Sequence, residues 1–121
     1  MAFPSETGEP PSEYAMRTYV LGFLRTGPNR SSTEQEKDEL QRAHLANITR
    51  LAKEGKIILA GPFLSGGDLR GLFLFDTDSV EEAGAWSASD PAVQAGIFRV
   101  ELHPWYSAKG IGISPLSEET K

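Results

Sequence analysis

An α+β fold of ferredoxin-like βαββαβ order is predicted by three features of the chain. Runs rich in β-branched and aromatic residues alternate with helical segments in that order. The first helical segment carries start and stop signals at its two ends. The strands are apolar on both faces, so the expected four-stranded antiparallel sheet has helices on one face and a second face left to cover.

Residues 1–15 contain Pro4, Gly8, Pro10 and Pro11 among polar and acidic neighbours, and read as a flexible N-terminal arm. Met16–Arg25 (MRTYVLGFLR) is the first strand. A polar loop turning at Gly27-Pro28-Asn29 leads to the main helix. Thr33 with Glu36 three residues later forms a capping box. Glu34, Glu36, Asp38 and Glu39 sit near the positive end of the helix dipole, and Arg50, Lys53 and Lys56 follow towards the other end. Gly55 is the expected left-handed stop.

Lys56–Phe63 is the second strand, ending in Gly61-Pro62-Phe63. Ser65-Gly66-Gly67-Asp68 makes a hairpin turn into the third strand, Arg70–Asp76. Asp78 or Ser79 caps a second helix over Val80–Ser87, and Asp90-Pro91 opens one more short turn. Ile97–Leu102 is the fourth strand, with His103-Pro104-Trp105-Tyr106 expected to end it because proline cannot continue a ladder. The domain is therefore placed at 16–106, with residues 107–121 as a polar C-terminal tail.

An antiparallel sheet with one wet face alternates apolar and polar residues. Here Tyr19, Leu21 and Phe23 alternate with Val20 and Leu24, and Leu72 and Leu74 with Phe73 and Phe75. Two helices cannot cover both faces. Another copy of the same sheet is the economical cover, so a homodimer formed through the sheet is expected.

Composition narrows the function classes. At 121 residues the chain is one domain, long enough to bury about two thirds of its unfolded surface without staples. It has no cysteine, which excludes disulfides and thiolate metal sites. A net charge of −5 and the lack of a basic run argue against a nucleic-acid partner. No apolar run reaches membrane length, and no basic-then-apolar leader opens the chain, so the expected compartment is the cytoplasm.

The functional signal lies in the main helix. At about 100° per residue, Leu40, His44, Leu45, Ile48, Leu51 and Ala52 fall within an arc of roughly 140°. His44 lies inside that apolar arc, where leaving an imidazole unpaired costs about 1–3 kcal/mol, so another part of the chain must supply a partner. A core histidine bonded to a backbone carbonyl is the structural alternative. Asp90 is by itself a good N-cap, and its second oxygen is free for another donor. Gly61, Pro62 and Phe63 end their strand beside the helix and are candidate pocket walls. Trp105 and Tyr106 are expected to cover the sheet edge, His103 to sit on the surface and Asp68 to serve the turn. Two distant histidines without ligand spacing speak against a metal site, and no glycine loop has phosphate-binding spacing, so no cofactor is expected.

Arg42-Ala43-His44, the run from Gly55 to Phe63, Gly71–Phe75, Asp90-Pro91 and Gly96 together resemble the YciI-like (YCII-related) family of the dimeric α/β-barrel group. The resemblance covers roughly Arg17 to Trp105. It implies the same fold, dimerisation through sheet faces, and a catalytic pair at His44 and Asp90. One relative is similar to a dehydrochlorinase acting on a chlorinated hydroxyquinol. With no cysteine or serine elbow beside His44, acid–base chemistry such as elimination or isomerisation on a small molecule is the expected activity. The alternatives are a non-catalytic small-molecule binder or accessory protein and, from the wider barrel group, a cofactor-independent oxygenase or haem-handling protein.

Overall fold

The computed structural model describes residues 15–110. Most of the expected arm and most of the expected tail lie outside these residues. The elements run β1 (Met16–Thr26), α1 (Glu34–Lys53), β2 (Ile57–Pro62), β3 (Leu69–Phe75), α2 (Val80–Ala88), α3 (Pro91–Gln94) and β4 (Phe98–Ala108). The strands form a four-stranded antiparallel sheet in the order β2-β3-β1-β4. This is the βαββαβ arrangement the sequence predicts, with β1 and β3 at the centre.

Local chemistry sets the ends of α1. Thr33 accepts from the Glu36 amide at 3.1 Å while the Glu36 carboxylate accepts from the Thr33 amide at 2.8 Å, closing the capping box. Gly55 sits at φ +77°, a conformation that L side chains rarely adopt, and turns the chain into β2. Ser79 caps α2 by accepting from Glu82, and Asp90 caps α3 with Pro91 behind it.

One sheet face packs against the helices. Val20 and Leu24 of β1, Phe73 and Phe75 of β3 and Ile57 of β2 form a buried cluster with Leu51 of α1 and Ala83 of α2. The β1–α1 loop is tied to the turn before β4, where the Gly27 amide donates to the Ile97 carbonyl at 2.8 Å and that of Asn29 to Gly96 at 2.9 Å. A Cβ on Gly27 would lie 2.2 Å from the Gly96 oxygen, so this crossing admits only glycine.

The opposite face carries Tyr19 and Leu74, both buried, with Leu21, Phe23 and Leu72 half-buried beside them. Trp105 packs towards Tyr19 with ring centroids 6.5 Å apart. An ionic chain links this neighbourhood to the hairpin: Arg25 donates to Glu101 at 2.6 Å and to Asp68 at 3.2 Å, and Arg99 also reaches Asp68. Asp68 thus receives two arginines besides serving its turn. The Arg25 hydrogen bond, supported by His103, holds the Glu101 carboxyl below its ordinary range. His103 is half-exposed, as expected.

Two expectations need correction. The fourth strand does not stop at Pro104 but continues to Ala108, with Pro104 opposite Val20 and Ser107 opposite Arg17. The reason is that β4 is an edge strand: alternate N–H groups there point away from the ladder, and proline at such a place breaks no bond. The buried stripe of α1 is also rotated from the predicted arc. It is centred on His44, Asn47 and Leu51, while Leu45 is 53% exposed. Contact with the α2–α3 junction draws Asn47 inward, where its amide oxygen accepts from Arg50 at 2.7 Å and from Ser89 at 3.4 Å.

Candidate functional site

The α2–α3 corner is anchored to α1 before any chemistry is considered. Ser89 donates to the Trp86 carbonyl at 2.6 Å, and Arg50 reaches across from α1 to the Ser89 hydroxyl at 3.3 Å. The next residue is Asp90. Its Oδ1 accepts from the Ala92 amide at 2.9 Å, and its Oδ2 faces His44 Nδ1 in a short hydrogen bond. Asp90 is 2% exposed and His44 5% exposed, so the pair is shielded from bulk water. One carboxylate therefore starts α3 and fixes the imidazole. An ionised Asp90 can only accept through its two oxygens, and facing such a carboxylate a neutral ring carries its proton on Nδ1 and leaves Nε2 with its lone pair.

Two aromatic rings fix the imidazole plane, Phe98 with its centroid 5.1 Å away and Phe73 at 6.3 Å. Beside them opens a cavity of about 240 Å³. Its floor is the sheet, through Leu24, Ala60, Gly71 and Phe73, and its roof is α1, through His44 and Ile48. Leu45 stands at its margin, and Gln41 and Arg70 are its polar and charged additions. Among the described residues Nε2 of His44 has no hydrogen-bond partner, and His44 itself lines the cavity. Nε2 is the nitrogen left for a ligand.

Of the residues singled out in the sequence, His44, Asp90, Gly61 and Pro62 come together at this place. Phe63 does not. It is 37% exposed and is not part of the cavity wall. It lies one residue beyond β2, and the alternation that turns Ala60 and Pro62 towards the cavity turns the next side chain away. Trp105 lies against Tyr19 on the opposite sheet face. Sequence reasoning missed Gln41 and Arg70, which read as solvated residues on a helix and an edge of a strand. Gln41 sits one turn before His44, a spacing that places both on one helix face and was the available signal.

A four-stranded antiparallel sheet, helices on one face and a buried His–Asp pair beside a cavity define a ferredoxin-like α+β protein with a candidate site under its first helix. The family model for the YCII-related domain matches residues 21–106, and the chain belongs to that family. Protein YciI of Escherichia coli is 27% identical over 86 residues, covering 64% of this chain and 88% of the relative. Protein YciI of Shigella flexneri is similar to the same extent. Among solved structures, the 5-chloro-2-hydroxyhydroquinone dehydrochlorinase of Burkholderia phenoliruptrix, in complex with 2,5-dihydroxybenzoquinone, is similar at 26% identity with a TM-score of 0.52. That match covers 71% of this chain and 92% of the dehydrochlorinase.

Proposed function

We propose that the protein is a cofactor-free acid–base enzyme of lyase or isomerase type, acting on a small ring-bearing molecule held in the cavity beside His44. The observation that carries this reading is the buried His44–Asp90 pair, with His44 in the wall of an apolar cavity and its Nε2 without a partner among the described residues. A histidine kept only for packing needs no room beside its second nitrogen. The likeness to a dehydrochlorinase solved with a quinone supports ring chemistry in particular.

In this reading Asp90 holds the tautomer in which Nε2 is the base. Nε2 removes a proton from the bound molecule while a leaving group such as chloride departs with the bonding electrons. Asp90 faces the imidazolium so formed, and the proton returns to water or product. Phe73, Phe98 and Ile48 exclude bulk water around the ring, which strengthens the interaction of the charges left inside. Gly61 and Gly71 let backbone approach the ligand closely. The active form is taken to be a homodimer joined through the Tyr19–Leu74 face, which leaves the cavity on the opposite side of each sheet open.

The test is a turnover assay with chlorinated and unchlorinated hydroxyquinols, comparing the wild type with His44→Ala. Chloride release or isomerisation should fall by about 10²–10⁴-fold in the variant, the span of general acid–base catalysis. Retained ligand affinity with lost turnover supports the enzyme. Wild-type binding without turnover of any ring substrate leaves a binding protein, the reading that the apolar cavity would equally serve.

A further inference from the structure

The cavity beside His44 does not end at its polar margin. A second hollow of about 390 Å³ shares Gln41, Arg70 and Phe98 with it, so the two adjoin along those three side chains. The second hollow is lined by Arg30, Lys37 and Arg70, with Asp38 as its one acidic group. Two of these cations are uncommitted. Arg17, Arg25, Arg50 and Arg99 each face a carboxylate, at 2.7, 3.2, 3.2 and 3.3 Å. Arg30 and Arg70 face none among the described residues, and Lys37 reaches only the exposed Glu34 at 3.7 Å. In a chain of net charge −5, a hollow with three cations against one acid is a local reversal of sign.

We propose that this hollow is an anion subsite, and that the molecule bound beside His44 is a small aromatic acid whose carboxylate is held by Arg70 and Arg30. The inference rests on the reading of the His44 cavity as a ring-binding site and adds the substrate class. Size supports it: an apolar cavity of about 150 Å³ holds benzene, so about 240 Å³ holds a substituted single ring. The ring lies against Phe73 and Phe98, with its polar substituent directed past Gln41 to the guanidinium of Arg70. A planar guanidinium matches a carboxylate with two parallel hydrogen bonds, which a neutral amide cannot reproduce. Arg70 and Arg30 act here as specificity determinants, while the proton chemistry belongs to His44.

The experiment uses the full chain and a panel of single-ring aromatic carboxylates, beginning with benzoate, each paired with its primary amide. Binding is followed by backbone amide NMR shifts of Gly61, Gly71 and Phe98 and by calorimetry. The carboxylates should bind about tenfold more tightly than the amides, the difference expected of one charge-assisted pair, and should weaken with added salt. Arg70→Gln should remove most of the preference for carboxylates, Arg70→Lys should restore part of it, and Asp38→Asn should strengthen carboxylate binding alone. Arg30→Gln should weaken carboxylates only. Equal affinity of acids and amides in the wild type, with shifts at the cavity, overturns the anion subsite and leaves the ring site standing. Shifts at the cavity from neither set overturn both.

Discussion

Asp90 shows how much one side chain decides at the scale of a residue. Its Oδ1 satisfies an amide at the start of α3 and its Oδ2 satisfies His44, so different substitutions separate the two roles. Asp90→Asn keeps a cap of equal quality but can offer Nδ1 an N–H, which moves the ring proton to Nε2 and removes the base. Stability should change by less than about 1 kcal/mol in urea denaturation, while turnover falls by about 10²–10⁴-fold. Asp90→Ala removes both bonds and should lower stability by about 2–4 kcal/mol, a lost cap plus an unpaired buried imidazole. In the wild type, imidazole nitrogen NMR should find neutral His44 protonated on Nδ1. A proton on Nε2 instead would deny the ring its role as base.

At the scale of elements, the site depends on α1 and the α2–α3 corner being held in one register. Thr33 fixes where α1 begins, and hence which residue of the fourth turn faces the sheet. Thr33→Ala should destabilise the protein by about 1 kcal/mol, read as a shift in the urea midpoint at constant slope. Gly27 holds the β1–α1 loop against the turn that leads to Phe98, and the 2.2 Å approach to the Gly96 oxygen leaves no room for a methyl group. Gly27→Ala should cost about 1–3 kcal/mol and should disturb the NMR shifts of Phe98 as well as those of the loop, because the two segments move together. Unchanged Phe98 resonances would show that the crossing does not position the cavity wall.

At the scale of the whole molecule, the proposed homodimer rests on the face opposite the helices. Phe23 and Leu21 lie half-buried at its centre, so the wild type is expected to sediment as a dimer and Phe23→Asp as a folded monomer. The ionic chain over this face sets a pH dependence. Arg25 lowers the Glu101 pKa below its ordinary 4.5, so the native state favours the charged carboxylate. The resulting stability is complete above about pH 4.5 and is lost as pH falls through the lowered native value. Glu101→Gln should therefore lower the thermal midpoint slightly at pH 7 and flatten its decline between pH 5 and 3. Because the pair is solvent-exposed, salt should shrink the difference.

The succession of strands and helices, the capping box and the Gly55 stop follow from local rules, since each depends on residues within one turn or one pleat. His44 was legible for a related reason: helical periodicity is local, and a polar residue inside an apolar arc stands out. Asp90 was legible as a cap, but only the family resemblance joined it to His44, because no rule of spacing links residues on different elements. The course of β4 past Pro104 depended on its being an edge strand, which is a property of the sheet and not of the strand. Arg70 carried no signal as a cavity residue and Gln41 only its place one turn before His44, since exposed polar side chains look alike until the chain is folded. The sequence by itself determined the elements and the misplaced imidazole; the tertiary structure decided which carboxylate holds it, which cations stand near it and which aromatic does not. Local interactions repeat with a period that can be counted along the chain, whereas a site is an encounter between distant segments whose positions exist only after packing.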